Sequence, residues 1–417
     1  MPPTIWLKPG HVQPVWAGHP WVYAQAVDRV EGGATAGDEV SVVDPKNNLL
    51  GRGFYSPGSA IPVRLLARDA KTRFDGAFFR ARIERALRVR EAMGLGRGVG
   101  RGDGDGDDAY TTGYRLVHAE GDGLPGLIVD RFDDVLVLQL LTVGMKQREG
   151  LVLEALESLL HPRAILDRTP QAMAKIEKFV AGSGVVRGDD VKELVFKERG
   201  FAYRIPIELG QKTGFYFDQR DMRAKVEALA RNATRVLDAF SYVAPFGMAA
   251  ARGGSTGGAD GGRAIEVVSV DESAMALQVA AESARANGLA DRITFVRQDA
   301  KKALQEAHES GGYDLVVVDP PRLAPTRGSR DQALLAYARL AEAGCRATRP
   351  GGTLVLCSCS GAIDLTALTR ALATGALRAN VQAIVFDRCF QGADHPVSAA
   401  FNEGLYLKSL VARVEPR

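Results

Sequence analysis

The chain has 417 residues, more than one hydrophobic core ordinarily serves, so two or three domains are expected. Hydrophobic residues make up 46% and charged residues 25%, a globular balance that excludes a mainly disordered chain. The 53 Lys plus Arg against 50 Asp plus Glu leave a net charge of +3, which neither demands nor excludes a polyanionic partner. The opening residues, MPPTIWLKPGHVQPVWAG, show no basic stretch leading into an apolar run, and no window of about 18 uninterrupted apolar residues occurs. A cytoplasmic location with no membrane partner is the expectation. The four cysteines, Cys345, Cys357, Cys359 and Cys389, show no CxxC spacing. They read as reduced thiols, and no metal site is expected.

Residues 1–72 alternate short apolar runs with turn signals. Val40, Val42 and Val43, the turn Asp44-Pro45-Lys46-Asn47-Asn48, and Leu49 with Leu50 read as a hairpin in a small β-rich barrel or sheet. From Phe74 to Met93 the pattern turns helical. Phe78, Phe79, Ile83 and Leu87 lie near one face, with Arg80, Arg82, Arg85, Arg88 and Arg90 elsewhere. These arginines form either a solvated face or a stripe that meets RNA. The segment 94–108, GLGRGVGRGDGDGDD, is too poor in apolar side chains to order itself and reads as a flexible loop. DDVLVLQLL, a helix around 146–160, AILDR, a helical QAMAKIEKFV and KELVFKERGFAYRIPI complete a small α+β unit over 73–203.

The remainder, 204–417, has a different rhythm. RVLDAF, a helix through 246–252, AIEVVSVD, a helix over 272–287, ITFVRQD, a helix over 300–309, YDLVVVDPP, a helix over 329–348 and GGTLVLCSCS alternate strand with helix. Five such units with β-branched strands predict a doubly wound α/β fold with a mainly parallel sheet. Such sheets bind ligands at the carboxyl ends of their strands.

Asp238, Asp271, Asp299 and Asp319 all end strands in this reading. Asp271 can accept hydrogen bonds from ribose hydroxyls, Asp299 can face an adenine amine, and Asp238 can hold the amino end of a methionine moiety. Taken singly, each can equally cap the following helix. The spacing from Asp238 to Asp271 is long, and the Gly-rich insertion GGSTGGADGG at 253–262 accounts for the excess. Asp319-Pro320-Pro321-Arg322 must leave the sheet at once, because proline donates no ladder hydrogen bond. The resulting stiff loop is either a simple turn or a seat for a flat base beside a methyl donor.

Cys357 and Cys359 stand two residues apart at the end of the last of these strands, potentially on one face. Carbon 5 of a pyrimidine is a poor nucleophile, and thiolate addition at carbon 6 makes it a good one. The competing reading is that both thiols are small buried apolar groups.

With these residues in view, the sequence resembles the class I methyltransferases that make 5-methylcytosine in large-subunit ribosomal RNA. LKPGHVQPVWAGHPWVYAQAV and GRGFYSPGSAIPVRLLARD resemble that family's N-terminal PUA domain, and YRLVHAEGDGLPGLIVDRF resembles the start of its central domain. GQKTGFYFDQRDMR at 210–223, then DPPR, CSCS, DHPV and YLKSL, match later motifs in order. The likeness implies a PUA-like β-barrel, a small central α+β domain and a C-terminal Rossmann-like methyltransferase domain, with S-adenosylmethionine as cofactor, ribosomal RNA as partner and a homodimer as assembly.

Carried over by motif, the resemblance implies that Lys212, Thr213, Phe215, Asp218 and Arg220 line the cofactor and target pocket. It places Phe240, Tyr242 and Gly247 of the first-strand turn with Asp238, and Glu272 with Asp271 and Asp299, among the cofactor contacts. Asp319, Pro320 and Pro321 would form the base-side loop, Cys359 the nucleophile with Cys357 second, and Lys8, Arg80, Arg88, Lys212 and Arg322 the RNA contacts. His395 of DHPV either assists near the base or is a structural loop histidine. The family's first-strand turn runs D-x-F-S-Y-x-G-G-F-G, whereas Ala244 and Pro245 replace the two glycines here. That change implies a lost, weakened or rearranged cofactor grip. Two further readings remain: an RNA-binding assembly factor that keeps the fold without catalysis, and a methyltransferase acting on another RNA atom or substrate.

Overall fold

The computed structural model describes residues 3–96, 110–209, 213–255, 265–323 and 330–417. The expectations for the Gly/Asp segment beyond Gly96, for Lys212 and for the Gly-rich stretch beyond Ser255 fall outside those residues. The chain divides into two compact units, Met1–Phe217 with Ala393–Gly404, and Asp218–Gly392 with Leu405–Arg417. Among the described residues no helix is long and apolar enough to cross a membrane.

In the first unit a six-stranded sheet is built from Thr4–Leu7, Trp21–Val22, Val27–Glu31, Glu39–Val43, Leu49–Tyr55 and Val63–Ala67. Its inward residues, Ile5, Leu7, Val22, Val40, Val42, Val63 and Leu65, form one buried cluster. The expected hairpin is present: Glu39–Val43 pairs antiparallel with Leu49–Tyr55. Asp44 closes the turn by accepting hydrogen bonds from the backbone N–H groups of Lys46 and Asn48.

The same unit holds a five-stranded sheet in the spatial order Gly184–Gly188, Ala164–Asp167, Val135–Leu140, Leu127–Phe132, Gly113–His118. The helices Gly76–Ala92 and Glu149–Leu160 bury Phe79, Ile83, Val152 and Leu156 in one core with Leu116, Leu136 and Leu138. Helix starts follow capping chemistry. Asp75 accepts from the Phe78 N–H, and Thr142 from the Met145 N–H. The second cap starts a short helix, Val143–Lys146, which precedes the helix expected around 146–160, present as Glu149–Leu160.

The arginine-rich helix departs from its sequence reading. Its buried stripe is Phe79, Ile83, Ala86 and Arg90. Arg90 is fully buried, with a two-pronged ion pair to Asp122 at 2.6 and 2.8 Å and further bonds to the Asp394 and Arg115 carbonyls. Arg82 and Arg85 reach the carbonyls of Leu66 and Asp122. A guanidinium can be buried when every prong finds an oxygen, which periodicity cannot anticipate. Arg80, Arg85 and Arg88 are the members of the set that stay exposed.

Among the described residues the second unit carries seven strands: Arg235–Ala239, Glu266–Asp271, Ile293–Arg297, Tyr313–Val318, Thr348–Ser358, Val381–Phe390 and Lys408–Pro416. Numbered along the chain, their order in the sheet is 3-2-1-4-5-7-6. The first five are mutually parallel, and the seventh runs antiparallel between the fifth and sixth. Leu315, Val316, Val317 and Val318 are almost wholly buried, as a central strand covered on both faces requires. The helices Pro245–Ser255, Ala274–Ala286, Ala300–Glu309 and Arg330–Ala347 fall where alternation placed them. The doubly wound α/β expectation holds. The order reverses direction between the first and fourth strands, so the crevice for a ligand opens above their carboxyl ends.

Candidate active site at the carboxyl edge of the sheet

The first strand ends with Asp238 and Ala239, and the chain turns sharply through Phe240, Ser241, Tyr242, Val243 and Ala244 into the Pro245–Ser255 helix. Phe240, Tyr242 and Ala244 have φ of 64°, 53° and 55°, the left-handed region that side chains ordinarily avoid. The turn is held by bonds to the second strand and within itself. Ser241 N donates to the Val270 carbonyl, Tyr242 N to Asp271 Oδ2 and Ala244 N to the Ser241 carbonyl. Three non-glycine residues held this way point to a functional constraint, since each costs roughly 1–3 kcal/mol. Pro245 stands at the first position of its helix, where its missing N–H and fixed φ are tolerated. Ala244 and Pro245 therefore fit this turn, at the cost of a left-handed alanine.

Asp238 is 1% exposed, and its Oδ2 accepts the Gly247 N–H at 2.9 Å. Its Oδ1 and the Ser241 hydroxyl are buried without a hydrogen-bond partner. Burial pushes the Asp238 carboxyl up to about 8, against the Gly247 hydrogen bond and with help from the charges of Asp319 and Asp271. A buried carboxylate with one open oxygen suits a cationic amino group, as in the methionine part of S-adenosylmethionine. A Cβ at Gly247 would lie 2.2 Å from Ser269 Oγ, so any larger residue there forces a shift of that hydroxyl or of the turn.

Asp271 is half-buried at the end of the second strand, its Oδ1 accepting from Ser273 N and its Oδ2 from Tyr242 N. Both oxygens retain a second lone pair for ribose hydroxyls. Glu272 beside it is exposed. Asp299 is exposed and caps the Ala300–Glu309 helix by accepting from Lys302 N, so the capping role holds for one of its oxygens. Asp319 follows the fourth strand and is half-buried, Pro320 is buried, and Arg322 is exposed. The Asp319 charge acts on Asp238, Cys357 and Tyr337 alike, which puts it in the midst of this edge.

The two thiols have different surroundings. Cys357 is inside the fifth strand, fully buried beside Gln219, and its sulfur accepts a hydrogen bond from Ser409 Oγ at 3.2 Å. Burial, reinforced by the Asp319 charge, pushes this thiol well above its ordinary range. Cys359 lies one residue past the strand's end and is half-buried. Only Cys359 combines strand-end position with access, so the shared-face expectation gives way to a buried thiol and a reachable one.

Other expected residues fall in several places. Asp218 and Arg220 are buried in the second unit, with Asp218 Oδ2 accepting from the Tyr406 hydroxyl at 2.7 Å. Phe215 and Thr213 belong to the first unit, where Phe215 packs among Phe196, Tyr203 and Phe217 as a core ring. His395 also belongs to that unit. It is 2% exposed, its Nδ1 is 2.9 Å from Asp394 Oδ1, and its ring lies 4.8 Å from that of His118. The structural-loop reading of His395 is the one this network supports. Lys8 is exposed and donates to the Gln25 carbonyl, Arg80 donates to Ser158 Oγ, and Arg88 pairs with Glu84. Lys408 and Tyr406 drew no attention as site residues in the sequence, although YLKSL contains both.

Comparison with known proteins supplies the family. Residues 5–68 match the PUA-like domain family, and residues 115–383 match the S-adenosylmethionine-dependent methyltransferase family. A protein of Shewanella denitrificans named ribosomal RNA large subunit methyltransferase I is 36% identical over 98% of this chain and 99% of its own length. A protein of the same name from Pseudoalteromonas translucida is 33% identical over 99% and 100%. Among solved structures, a SAM-dependent methyltransferase from Streptococcus mutans shares the fold with a TM-score of 0.79 at 17% identity, covering 98% of this chain and 99% of that one. The chain thus belongs to the S-adenosylmethionine-dependent methyltransferase family, alongside relatives that bear the name ribosomal RNA large subunit methyltransferase I.

Proposed function

We propose that the chain methylates carbon 5 of a cytosine in large-subunit ribosomal RNA, with Cys359 as the covalent nucleophile. The observation that carries this reading is the gathering of Asp238, Asp271, Asp319 and Cys359 at the carboxyl ends of adjacent parallel strands. In this reading Asp238 holds the amino end of the cofactor, Asp271 with Glu272 the ribose, and Asp299 the adenine edge. Phe240, Tyr242 and Gly247 shape the same wall, with Asp218 and Arg220 beneath it. S-adenosylmethionine supplies an electrophilic methyl group.

The Cys359 thiolate adds to carbon 6 of the base, which makes carbon 5 nucleophilic. After methyl transfer, a base takes the carbon 5 proton while the carbon 6–sulfur bond breaks, which releases the thiolate and restores the ring. Asp319 and Pro320 would flank the flipped-out base. Residues 1–72, with Lys8, and the exposed Arg80 and Arg88 of the 73–203 segment would grip phosphate, and Arg322 of the 204–417 domain would do so nearer the target. The relatives named as ribosomal RNA methyltransferases support the substrate. That substrate also implies action in the cytoplasm.

Incubation of ribosomal RNA with labelled S-adenosylmethionine, then nucleoside mass spectrometry, tests all parts together. Label in 5-methylcytosine is the expected result, and label in another nucleoside overturns the base assignment. Ala244 and Pro245 motivate a second reading, a fold-retaining RNA-binding factor without catalysis. The open Asp238 oxygen and Ser241 hydroxyl favour the enzyme, and calorimetry with S-adenosylmethionine separates the two.

A further inference from the structure

The seventh strand begins at Lys408 and pairs antiparallel with the fifth, so that Lys408 stands opposite Ser358 and Ser409 opposite Cys357. Lys408 is 3% exposed, an uncommon place for a strongly hydrated ammonium group. Its Nζ donates a 3.0 Å hydrogen bond to the Ser360 carbonyl, the residue after Cys359. The side chain therefore reaches across the turn that carries the thiol. Tyr337, from the Arg330–Ala347 helix, meets the same turn, its hydroxyl 3.3 Å from Ser360 Oγ.

The charges that bear on Lys408 are Cys359, Asp364 and Arg322. Burial brings the ammonium down to about 8; Cys359 and Asp364 oppose that shift, and Arg322 adds to it. A neutral carbonyl does not compensate a buried cation, which is retained where an anion partners it. Asp364 is exposed and caps the Leu365–Arg378 helix through the Ala367 N–H. Of these groups, the Cys359 sulfur is the partly buried one that can supply that anion.

We infer that Lys408 is a positioning residue that holds Cys359 as its thiolate and fixes the 358–360 turn before attack on the base. The inference rests on the reading of Cys359 as nucleophile. The thiol proton passes to solvent, the ammonium keeps its own protons, and Lys408 is unchanged when the sulfur adds to carbon 6.

The test is the pH dependence of Cys359 alkylation by iodoacetamide, followed by peptide mass spectrometry on the full chain so that the other thiols do not interfere. Lys408→Met should move the midpoint upward by about one pH unit, slowing alkylation near neutral pH on the order of tenfold. Lys408→Gln, which can still bond the Ser360 carbonyl without carrying charge, should show the same shift. Lys408→Arg should restore most of the wild-type profile. In methylation assays the neutral variants should lose kcat with little change in KM for RNA. Unchanged alkylation midpoints in both neutral variants would overturn the inference. Full methylation by Cys359→Ala would instead overturn the nucleophile reading, while the alkylation profiles still report whether lysine and thiol are coupled.

Discussion

Ser409 Oγ donates a 3.2 Å hydrogen bond to Cys357 Sγ inside the sheet, two residues before the half-buried Cys359. The contact ties the first thiol into the fifth and seventh strands and raises the question of which sulfur does chemistry. Burial keeps Cys357 protonated, and a fully buried thiol meets no base.

The two cysteines should therefore separate cleanly on substitution. Cys359→Ala is expected to lower methyl transfer by about 10³-fold or more while leaving the melting temperature near wild type. Cys357→Ala should retain turnover and lose roughly 1 kcal/mol of stability, a shift of about 2–4 °C. Methylation rates and thermal melts of the two purified variants decide it, and the opposite pattern would reassign the nucleophile.

Asp238 links cofactor binding to pH. Its carboxyl is raised to about 8 in the folded protein, so between the ordinary carboxylate range and pH 8 the folded state binds more protons than the unfolded state. Stability of the free protein should therefore fall as pH rises through that window, and Asp238→Asn should flatten the dependence. Binding a cationic amino group should expel the proton below pH 8, which calorimetry in buffers of differing ionisation enthalpy detects. The same substitution should cost about 2 kcal/mol or more in S-adenosylmethionine binding.

The turn after the first strand yields a third prediction. Gly247→Ala drives a Cβ onto Ser269 Oγ and within 3.2 Å of Asp238 Oδ2, and should cost roughly 1–3 kcal/mol together with cofactor affinity. Ala244→Gly should act in the other direction, relieving a left-handed alanine at φ 55° worth about 1 kcal/mol. Denaturant melts with and without S-adenosylmethionine measure both. No gain from Ala244→Gly would show that the neighbouring contacts have absorbed the strain.

Much of the second unit was legible because its information is local. The apolar run Leu315–Val318 followed by Asp319-Pro320 announces a buried strand and its exit without reference to any other segment. The same holds for Asp299, whose capping bond reaches only to Lys302. What stayed hidden depends on distant pairing. Lys408 meets Ser360 through strands joined 48 positions apart, and Arg90 owes its burial to Asp122 and Asp394. Nor does residue type distinguish Cys357 from Cys359; only the end of the fifth strand at Ser358 does.

Arg88 and Arg90 give the last prediction, since the same residue type on one helix has opposite circumstances. Arg90 is fully buried against Asp122, and removing its guanidinium strands a carboxylate that also accepts the His118 N–H. Arg90→Ala should cost roughly 3–5 kcal/mol of first-unit stability, whatever RNA is present. Arg88 is 62% exposed in its side chain and, among the described residues, pairs with Glu84, four residues away on the helix surface, an interaction worth little. Arg88→Ala should leave the melting temperature within about 1 °C. If Arg88 meets phosphate, RNA affinity should weaken and the slope of log affinity against log salt should fall by about 1. An unaltered salt slope in Arg88→Ala would mean that this helix presents a solvated face and that the backbone grip lies elsewhere.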